Sequence, residues 1–422
     1  MEMPELIELA NGVRVFADPM EGLESVAVGV WFRAGAIDEN PDEHGIAHLL
    51  EHMAFKGTTT RSARRIAEEI ENIGGYLNAS TGYGRTGYYA RVLRKDVSTA
   101  ADILADIITD PLFDPVELGK EKQVVIQEIG EAADVPDDAV MEMLQSLSYG
   151  DHALGRPILG TVESVESHDR DRLTRFMSRH YTPGDLVFAA SGAISPDEIV
   201  RLAEKHFGGR PPATKPRRSP KPAYRGGSRF DPRDIEQTHI AMAFPGAAVA
   251  DSDYFATRVF VEALGGGMSS RIFQSVREER GLAYSVYSFT DSYDEVGSVG
   301  AYVGTDRACA AEAISLIRSE IISMAGAATA KEVDRARAML KSTLLMGLES
   351  PQTRAETAVG QLFSHGRILP PAEIVDRLDA VTVDDVRAAA AKALEAGRPA
   401  MAIVGPADFD EAVKALHAEQ AA

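Results

Sequence analysis

Apolar residues follow two spacings along this chain, and the two spacings recur in the same order in both halves. In the first half, β-branched and aromatic residues at 26–32 predict a strand, and glycine-flanked runs at 76–80 and 88–93 predict a hairpin. Helical spacing predicts three helices, around residue 48, over 97–108 and over 115–132. The first half therefore combines a small sheet with helices.

The second half repeats this order without obvious similarity of sequence. Apolar runs predict strands at 238–244, 284–289 and 296–303, and helical spacing predicts helices over 255–264, 308–324 and 329–348. We therefore predict an α+β fold of two homologous domains, each an antiparallel sheet covered on one face by helices.

One break in composition separates the two halves. Residues 208–222 are rich in proline and basic side chains and poor in large apolar ones, which is typical of an extended linker. We predict an N-terminal domain over 1–209, a Pro/basic linker over 210–228 and a C-terminal domain over 229–422.

Length and composition indicate a globular protein with more than one domain. The chain has 422 residues, of which 45% are hydrophobic and 26% charged. No apolar run approaches the roughly 18 residues that a membrane span requires. The acidic N-terminus predicts neither a secretory signal nor a transit peptide, and the single cysteine, Cys309, fits a reducing compartment.

The net charge of −20 disfavours nucleic acid and anionic membranes as partners. Such a charge would attract cationic ligands over long range. The alternative is an acidic surface that only aids solubility.

Residues 48–52 form an H-x-x-E-H motif, and this motif indicates a metal site in the first half of the chain. His48 and His52, four positions apart on a helix, lie on one face and can reach one metal ion, with Glu51 beside them as a non-ligand. A lone histidine on such an apolar helix would more often be a core residue, but a pair with a carboxylate between favours a metal site. His44, four residues earlier, is predicted to flank the site or contact substrate.

Glu128 is the candidate third ligand, and Glu121 lies two helical turns before it on the same face. A His₂Glu set leaves one tetrahedral position for water, which is typical of a catalytic zinc site. The other carboxylate can orient a histidine from outside the ligand set. Without the histidines, a solvated helix face would be the preferred interpretation of both glutamates.

With these residues in view, the chain resembles the pitrilysin/insulinase-type (inverzincin) zinc metallopeptidases, in the branch of mitochondrial processing peptidases and their bacterial relatives. The matching text spans 48–58 (HLLEHMAFKGT), 121–128, 265–271 (GGGMSSR) and 277–285 (REERGLAYS). The resemblance runs from about Leu9 to about Gly405.

The resemblance implies roles for the residues of the first half. His48, His52 and Glu128 would bind one Zn²⁺ per chain, Glu51 would act as general base, and Glu121 would support a ligand. The strand around Asn78 and Ala79 would receive the substrate peptide as an added strand.

The resemblance also implies roles for residues outside the motif. Arg277 and Tyr284, seven residues apart, would hold the substrate carbonyl from an enclosing partner. Asp138 and Glu142 would receive a basic substrate side chain. In larger members four such domains form a clamshell, with zinc in the first and the Arg/Tyr pair in the last. A two-domain chain is therefore expected to form a homodimer, or a heterodimer with a homologous non-zinc subunit.

We thus predict a cytoplasmic bacterial zinc endopeptidase that cuts peptides, preferably basic ones, or N-terminal extensions inside an enclosed chamber. The alternative is a non-catalytic scaffold, like the core subunits of respiratory complexes that share this fold. The intact H-x-x-E-H motif favours the enzyme, since such scaffolds usually carry a broken one.

Overall fold

The computed structural model describes residues 4–212 and 221–417, so positions 1–3 of the acidic N-terminus and 213–220 of the predicted linker lie outside the described residues. The strands of the first half are β1 Glu5–Glu8, β2 Arg14–Pro19, β3 Ser25–Phe32, β4 Tyr76–Thr81, β5 Thr86–Leu93 and β6 Leu186–Gly192. Its helices are α1 Ile46–Ala54, α2 Ala63–Asn72, α3 Val97–Thr109, α4 Pro115–Asp134, α5 Pro136–Tyr149, α6 Val162–Ser167, α7 Arg170–His180 and α8 Pro196–Phe207.

The second half has the same kind of elements. Its strands are β7 Gly227–Asp231, β8 Thr238–Gly246, β9 Ala283–Ser292, β10 Gly297–Thr305 and β11 Ala400–Val404. Its helices are α9 Tyr254–Gly265, α10 Ala310–Ala327, α11 Ala330–Gly347, α12 Pro351–His365, α13 Pro371–Ala380, α14 Val383–Glu395 and α15 Phe409–His417, with a π-helical turn at Phe273–Glu279.

The strand order confirms that the fold consists of two copies of one unit. The first sheet has the order β1-β2-β6-β3-β5-β4 and the second β7-β11-β8-β10-β9, so each of the five strands described in the second sheet has a counterpart among β2 to β6 in the first. In both sheets one pair is parallel, β2 with β6 and β7 with β11, and the other pairs are antiparallel. The predicted α+β class is confirmed, although each sheet is mixed and not purely antiparallel.

The two compact units exchange one helix each. Glu131–Gly155, which contains α5, belongs to the unit built on the second sheet, and Met346–Ile368, which contains α12, belongs to the unit built on the first. The helices occupy equivalent places in the two repeats. The domain boundaries predicted at 1–209 and 229–422 stay a prediction. The compact units cut across these boundaries, because each unit includes one segment from the other half of the chain.

Each sheet is therefore covered on both faces, not on one as predicted. In the first unit, alternate residues of the strands point to opposite sides: Phe188 packs into the core with α1 and α3, whereas Val187 packs against Val359 and Leu362 of α12. In the second unit, Ala241 of β8 packs against Val140 of α5 in the same way. The central strands β6 and β10 are consequently buried along their whole length.

An ion pair fastens α12 to the first sheet. The guanidinium of Arg354 donates two hydrogen bonds to the carboxylate of Asp18 on β2, of which the Nη2–Oδ1 bond is 2.7 Å long. The side chain of Asp18 is only 2% exposed. Because breaking a buried pair leaves a charge without compensation, this contact makes α12 a required part of the first unit.

The predicted elements are confirmed within a few residues at each end. The strand predicted at 26–32 is β3, the helix at 97–108 is α3, and the helix at 329–348 is α11. Among the described residues, no helix is both long and apolar enough to cross a membrane.

Candidate metal centre

Helix α1 begins in an unusual way. Its N-terminal residue, Gly45, has a left-handed conformation (φ 81°) and offers no side chain to cap the helix. The carboxylate of Glu39 takes that place: Oε2 accepts the backbone N–H of Gly45 at 3.0 Å and Oε1 that of Ala47 at 2.9 Å. Burial raises the pKa of Glu39, and the two N–H donors act against that rise.

The start of α1 is also held from the side. A Cβ atom on Gly45 would lie 2.7 Å from the carbonyl oxygen of Leu159 and 2.8 Å from the Cα of Gly160, so only glycine fits there. Nε2 of the buried His44 donates to the carbonyl of Pro157 at 2.8 Å. His44 is thus a structural contact, and the prediction that it contacts substrate gains no support.

The remaining surface of α1 divides between the core and the candidate centre. Ile46, Ala47, Leu49, Leu50, Met53 and Ala54 are buried. His48 and His52 lie on the other, half-buried face, with their ring centroids 4.7 Å apart. The heptad spacing on α4 brings Glu121 and Glu128 opposite these rings.

The first unit brings together a donor set for one metal ion. One donor atom each from His48, His52 and Glu128 lies within 4.8 Å of the other two. Oε2 of Glu128 is 3.8 Å from Nε2 of His48 and 3.5 Å from Nε2 of His52. No other such group of three His, Cys, Asp or Glu occurs in the described residues.

These distances fit a zinc-sized ion. Bonds of about 2.0–2.1 Å in a tetrahedral arrangement would place neighbouring donors about 3.3 Å apart. The two separations to Glu128, 3.8 and 3.5 Å, lie within about half an ångström of that value. Burial, together with the nearby His52, lowers the pKa of His48 to about 4, so its imidazole is neutral as a ligand must be.

Glu121 orients one of the candidate ligands. Nδ1–H of His52 donates to Oε2 of Glu121 at 3.2 Å, which leaves the Nε2 lone pair of His52 directed at the cluster. The other oxygen of Glu121 pairs with Nζ of Lys56 at 2.6 Å. Lys56 thus neutralises a buried carboxylate.

Glu51 lies beside the cluster and is held from β4. The hydroxyl of Thr81 donates to Oε2 of Glu51 at 2.5 Å. Burial raises the pKa of Glu51, and the Thr81 hydrogen bond acts against that rise. The carboxylate therefore has one oxygen fixed by a donor, and its raised pKa suits a group that takes up a proton.

Strand β4, which carries Thr81, is the outer strand of the first sheet. The predicted substrate-contact residues Asn78 and Ala79 lie on it, three and two positions before Thr81. At Ala79 the backbone N–H is bonded to Oδ1 of Asn78 at 2.9 Å. The edge strand and the acid/base candidate on α1 are thus joined directly by the Thr81–Glu51 hydrogen bond.

Comparison with known proteins decides the family. Residues 15–162 match the model described as insulinase (peptidase family M16), and residues 167–340 match that of the peptidase M16 inactive domain. A protein named uncharacterized zinc protease from Rickettsia felis is 37% identical, covering 95% of this chain and 97% of its own. A protein named uncharacterized zinc protease YmxG from Bacillus subtilis is 38% identical, covering 94% of this chain and 97% of its own.

The chain belongs to peptidase family M16. Two solved structures share the M16 fold with it: a peptidase M16 inactive domain from Pseudomonas fluorescens (TM-score 0.87, 22% identity, 96% of this chain and 98% of that one) and a protease from Helicobacter pylori (0.87, 20%, 96% and 99%). The predicted pitrilysin/insulinase-type family is confirmed.

The second unit of this M16 chain holds the other predicted site residues. Nη1 of Arg277 donates to the carbonyl of Tyr284 at 2.9 Å, and the guanidinium lies 4.3 Å from the Tyr284 ring centroid. The Tyr284 side chain is highly exposed, at 78%. Arg277 lies in the π-helical turn and Tyr284 in edge strand β9, so the pair is formed but presents its phenol to solvent.

Asp138 and Glu142 lie one turn apart on α5, in the same unit as Arg277. Burial, and then the charge of Asp138, raises the pKa of Glu142. The neighbouring Asp137 pairs with Nδ1 of His239 on β8 at 3.0 Å, which anchors this end of the helix.

Sequence reasoning missed three residues of the M16 site: Glu39, Lys56 and Thr81. Lys56 stood in the quoted motif without a role. Thr81 could have been found as the next polar residue of the predicted edge strand. Glu39 had no detectable pattern, because a 3₁₀ turn at Pro41–Glu43 separates it from the helix that it caps.

We expect Glu39→Ala to destabilise the protein by about 3 kcal/mol, because two buried N–H groups lose their acceptor. It should also weaken Zn²⁺ binding at least about tenfold, since α1 carries both histidines. The control is Asp169→Ala, which removes an exposed cap (Oδ1 to the Arg172 N–H, 2.8 Å) and should cost about 1 kcal/mol without changing zinc affinity. Denaturant titration measures the free energy of unfolding, and competition with a zinc-binding dye measures the affinity for Zn²⁺. Equal losses in the two variants would contradict the role given to Glu39.

Proposed function

We propose that the chain is a zinc-dependent endopeptidase that hydrolyses peptides or N-terminal extensions. The observation that carries the proposal is the convergence of the His48, His52 and Glu128 donors with Glu51 beside them. Family membership and the names of the relatives support the same reaction class. A zinc ion bound there would polarise the scissile carbonyl and lower the pKa of a water to roughly 7.

The chain's own residues would supply the proton transfers. Glu51 accepts the proton of the attacking water on the oxygen not bonded to Thr81, and then donates it to the leaving amine. Glu121 keeps the proton of His52 on Nδ1, so that the lone pair of Nε2 stays free to bind the metal. The edge of β4 would bind the substrate backbone as an added strand, which tolerates many sequences.

Arg277 and Tyr284 would stabilise the oxyanion of a partner chain's site. Their mutual contacts present the exposed phenol to solvent in the isolated chain, and the resemblance assigns this pair to an enclosing subunit. We therefore propose a dimer, with two equivalent sites if the partner is a second copy.

Glu51→Gln should keep the metal and lose turnover, because it removes the base and no ligand. We expect a fall in kcat of about 10²–10⁴-fold with unchanged zinc content. A chelator should abolish the parental activity. The control variant Glu68→Gln, which changes an exposed side chain on α2, should leave both kcat and zinc content unchanged. A Glu51→Gln enzyme that cleaves quenched peptides at near the parental rate would refute the mechanism and favour a scaffold.

A preference for basic peptides is expected at low ionic strength, since Asp138 and Glu142 form an acidic pair on α5. Asp138→Asn with Glu142→Gln should raise KM for a basic peptide by about tenfold, and 0.5 M salt should have a similar effect. Glu71→Gln, which removes an exposed acid on α2, is the control. Equal KM values for matched acidic and basic peptides in the parental enzyme would dismiss the preference.

Mixed chains test whether sites are shared. Glu51→Gln and Tyr284→Phe chains, each inactive, should regain part of the activity after exchange, because one of the two sites in a mixed dimer then has no defect. Mixing Glu51→Gln chains with the double variant should restore nothing. If the first mixture also stays inactive although exchange is complete, the pair does not act across subunits.

A further inference from the structure

One cavity in the first unit has no role in the proposed reaction. It encloses about 480 Å³ beside α7, within the range of roughly 300–1,000 Å³ that small-molecule sites occupy. Its lining contains two arginines, Arg170 and Arg210, and no acidic residue, although the chain as a whole has a net charge of −20. None of the candidate metal ligands lines it.

The central observation concerns the guanidinium group of Arg210. Its Nη1 atom is buried and has no hydrogen-bond partner among the described residues, and burial lowers the pKa of the guanidinium. Asp110 acts on it only as a nearby charge, and no ion pair within the described residues joins the two. An enclosed guanidinium N–H without an acceptor costs stability, so such groups in native proteins call for an explanation.

The backbone of Arg210 is fixed by hydrogen bonds, so the unpaired Nη1 atom is not the result of a loosely placed chain. Nδ2 of the buried Asn11 donates to the carbonyl of Arg210 at 3.1 Å and to that of Phe207 at 2.8 Å. The N–H of Arg210 bonds to the carbonyl of Phe207 at 3.2 Å. The polypeptide thus holds the guanidinium at the cavity.

The rest of the wall is mixed, with an apolar part next to hydroxyl groups. Phe113, Met177 and four prolines line it. Phe113 has φ 46° and is the single non-glycine residue of the described chain with a left-handed backbone. A bulky residue keeps that conformation only where its surroundings impose it, and such strain collects at ligand sites.

The hydroxyl groups of the wall do not compete with Arg210 for an anion. Thr174 donates to the carbonyl of Arg170 at 2.9 Å, Ser178 to that of Thr174 at 2.7 Å, and Thr182 to Asp185 at 2.8 Å. Their protons are already used, and Arg170 at the rim is exposed to solvent, so Nη1 of Arg210 is the buried donor of the wall that has no acceptor. A guanidinium beside apolar side chains matches a carboxylate on an apolar body.

We propose that this cavity binds a small monocarboxylate with an apolar body, held by its carboxylate on Arg210 and by its body against Phe113 and Met177. Helix α7, which lines the cavity with Thr174 and Met177, packs with its other face against α1. The site is independent of the proposed peptidase reaction and stands if that reaction is disproved.

The test compares N-acetylphenylalanine with its neutral amide by calorimetry on the full chain in a phosphate-free buffer. The acid should bind with a Kd of about 1 mM or tighter, and the amide at least tenfold more weakly. Arg210→Met should lose the acid by the same factor and keep or raise the melting temperature, since it deletes an unpaired donor. Arg201→Met, which removes an exposed arginine from α8, should bind like the parent.

Three results would overturn the proposal. The first is equal binding of acid and amide, or no binding of the acid at millimolar concentration. The second is a fall of several degrees in the melting temperature of Arg210→Met, which would make the arginine structural. The third is inorganic phosphate displacing the acid at equal concentration, because the apolar wall would then contribute nothing.

Discussion

The carboxylate of Glu39 holds the helix from which the candidate centre is built. Helix α1 is nine residues long and begins at a glycine, so it has neither the length nor the cap to be stable alone. Two hydrogen bonds from Glu39 supply the cap, and the close contact of Gly45 with Leu159 and Gly160 fixes where the helix points. The positions of both histidine rings follow from these contacts.

A second carboxylate performs a comparable task at the other end of the centre. Glu121 receives Nδ1–H of His52 and the ammonium group of Lys56, so its charge is compensated on both oxygens. Three buried or half-buried acids, Glu39, Glu51 and Glu121, thus hold α1 or lie beside its donors, and each has partners of a different kind: backbone amides, a hydroxyl, and a histidine with a lysine. Because their partners differ, Glu39 caps a helix, Glu51 is the candidate base and Glu121 orients a candidate ligand.

Local patterns in the sequence were sufficient for the hairpin strands and long helices of each half and for the histidine pair, but not for strands such as β2 and β6. Apolar runs bounded by glycine located β3, β8 and β10, and the helical repeat of four residues places His48 beside His52. Glu39 could not be found this way, because a 3₁₀ turn separates it from the helix that it caps. The cover that α12 provides for the first sheet was also missed, since it depends on residues more than 150 positions away in the chain. Amphipathic spacing shows that a helix has an apolar face, but not which sheet receives it.

The exchange of α5 and α12 has a consequence for biosynthesis. The sheet of the first unit is complete when β6 leaves the ribosome at Gly192, yet the helix that covers its outer face ends only at His365. Throughout that interval Trp31 and Val187 stay uncovered, and the nascent chain presents an apolar sheet face to chaperones and to other unfinished chains. The contact between Asp18 and Arg354, 336 residues apart, must then close one of the longest loops in the molecule, so maturation of the first unit is expected to be slow and to wait until α12 has been synthesised.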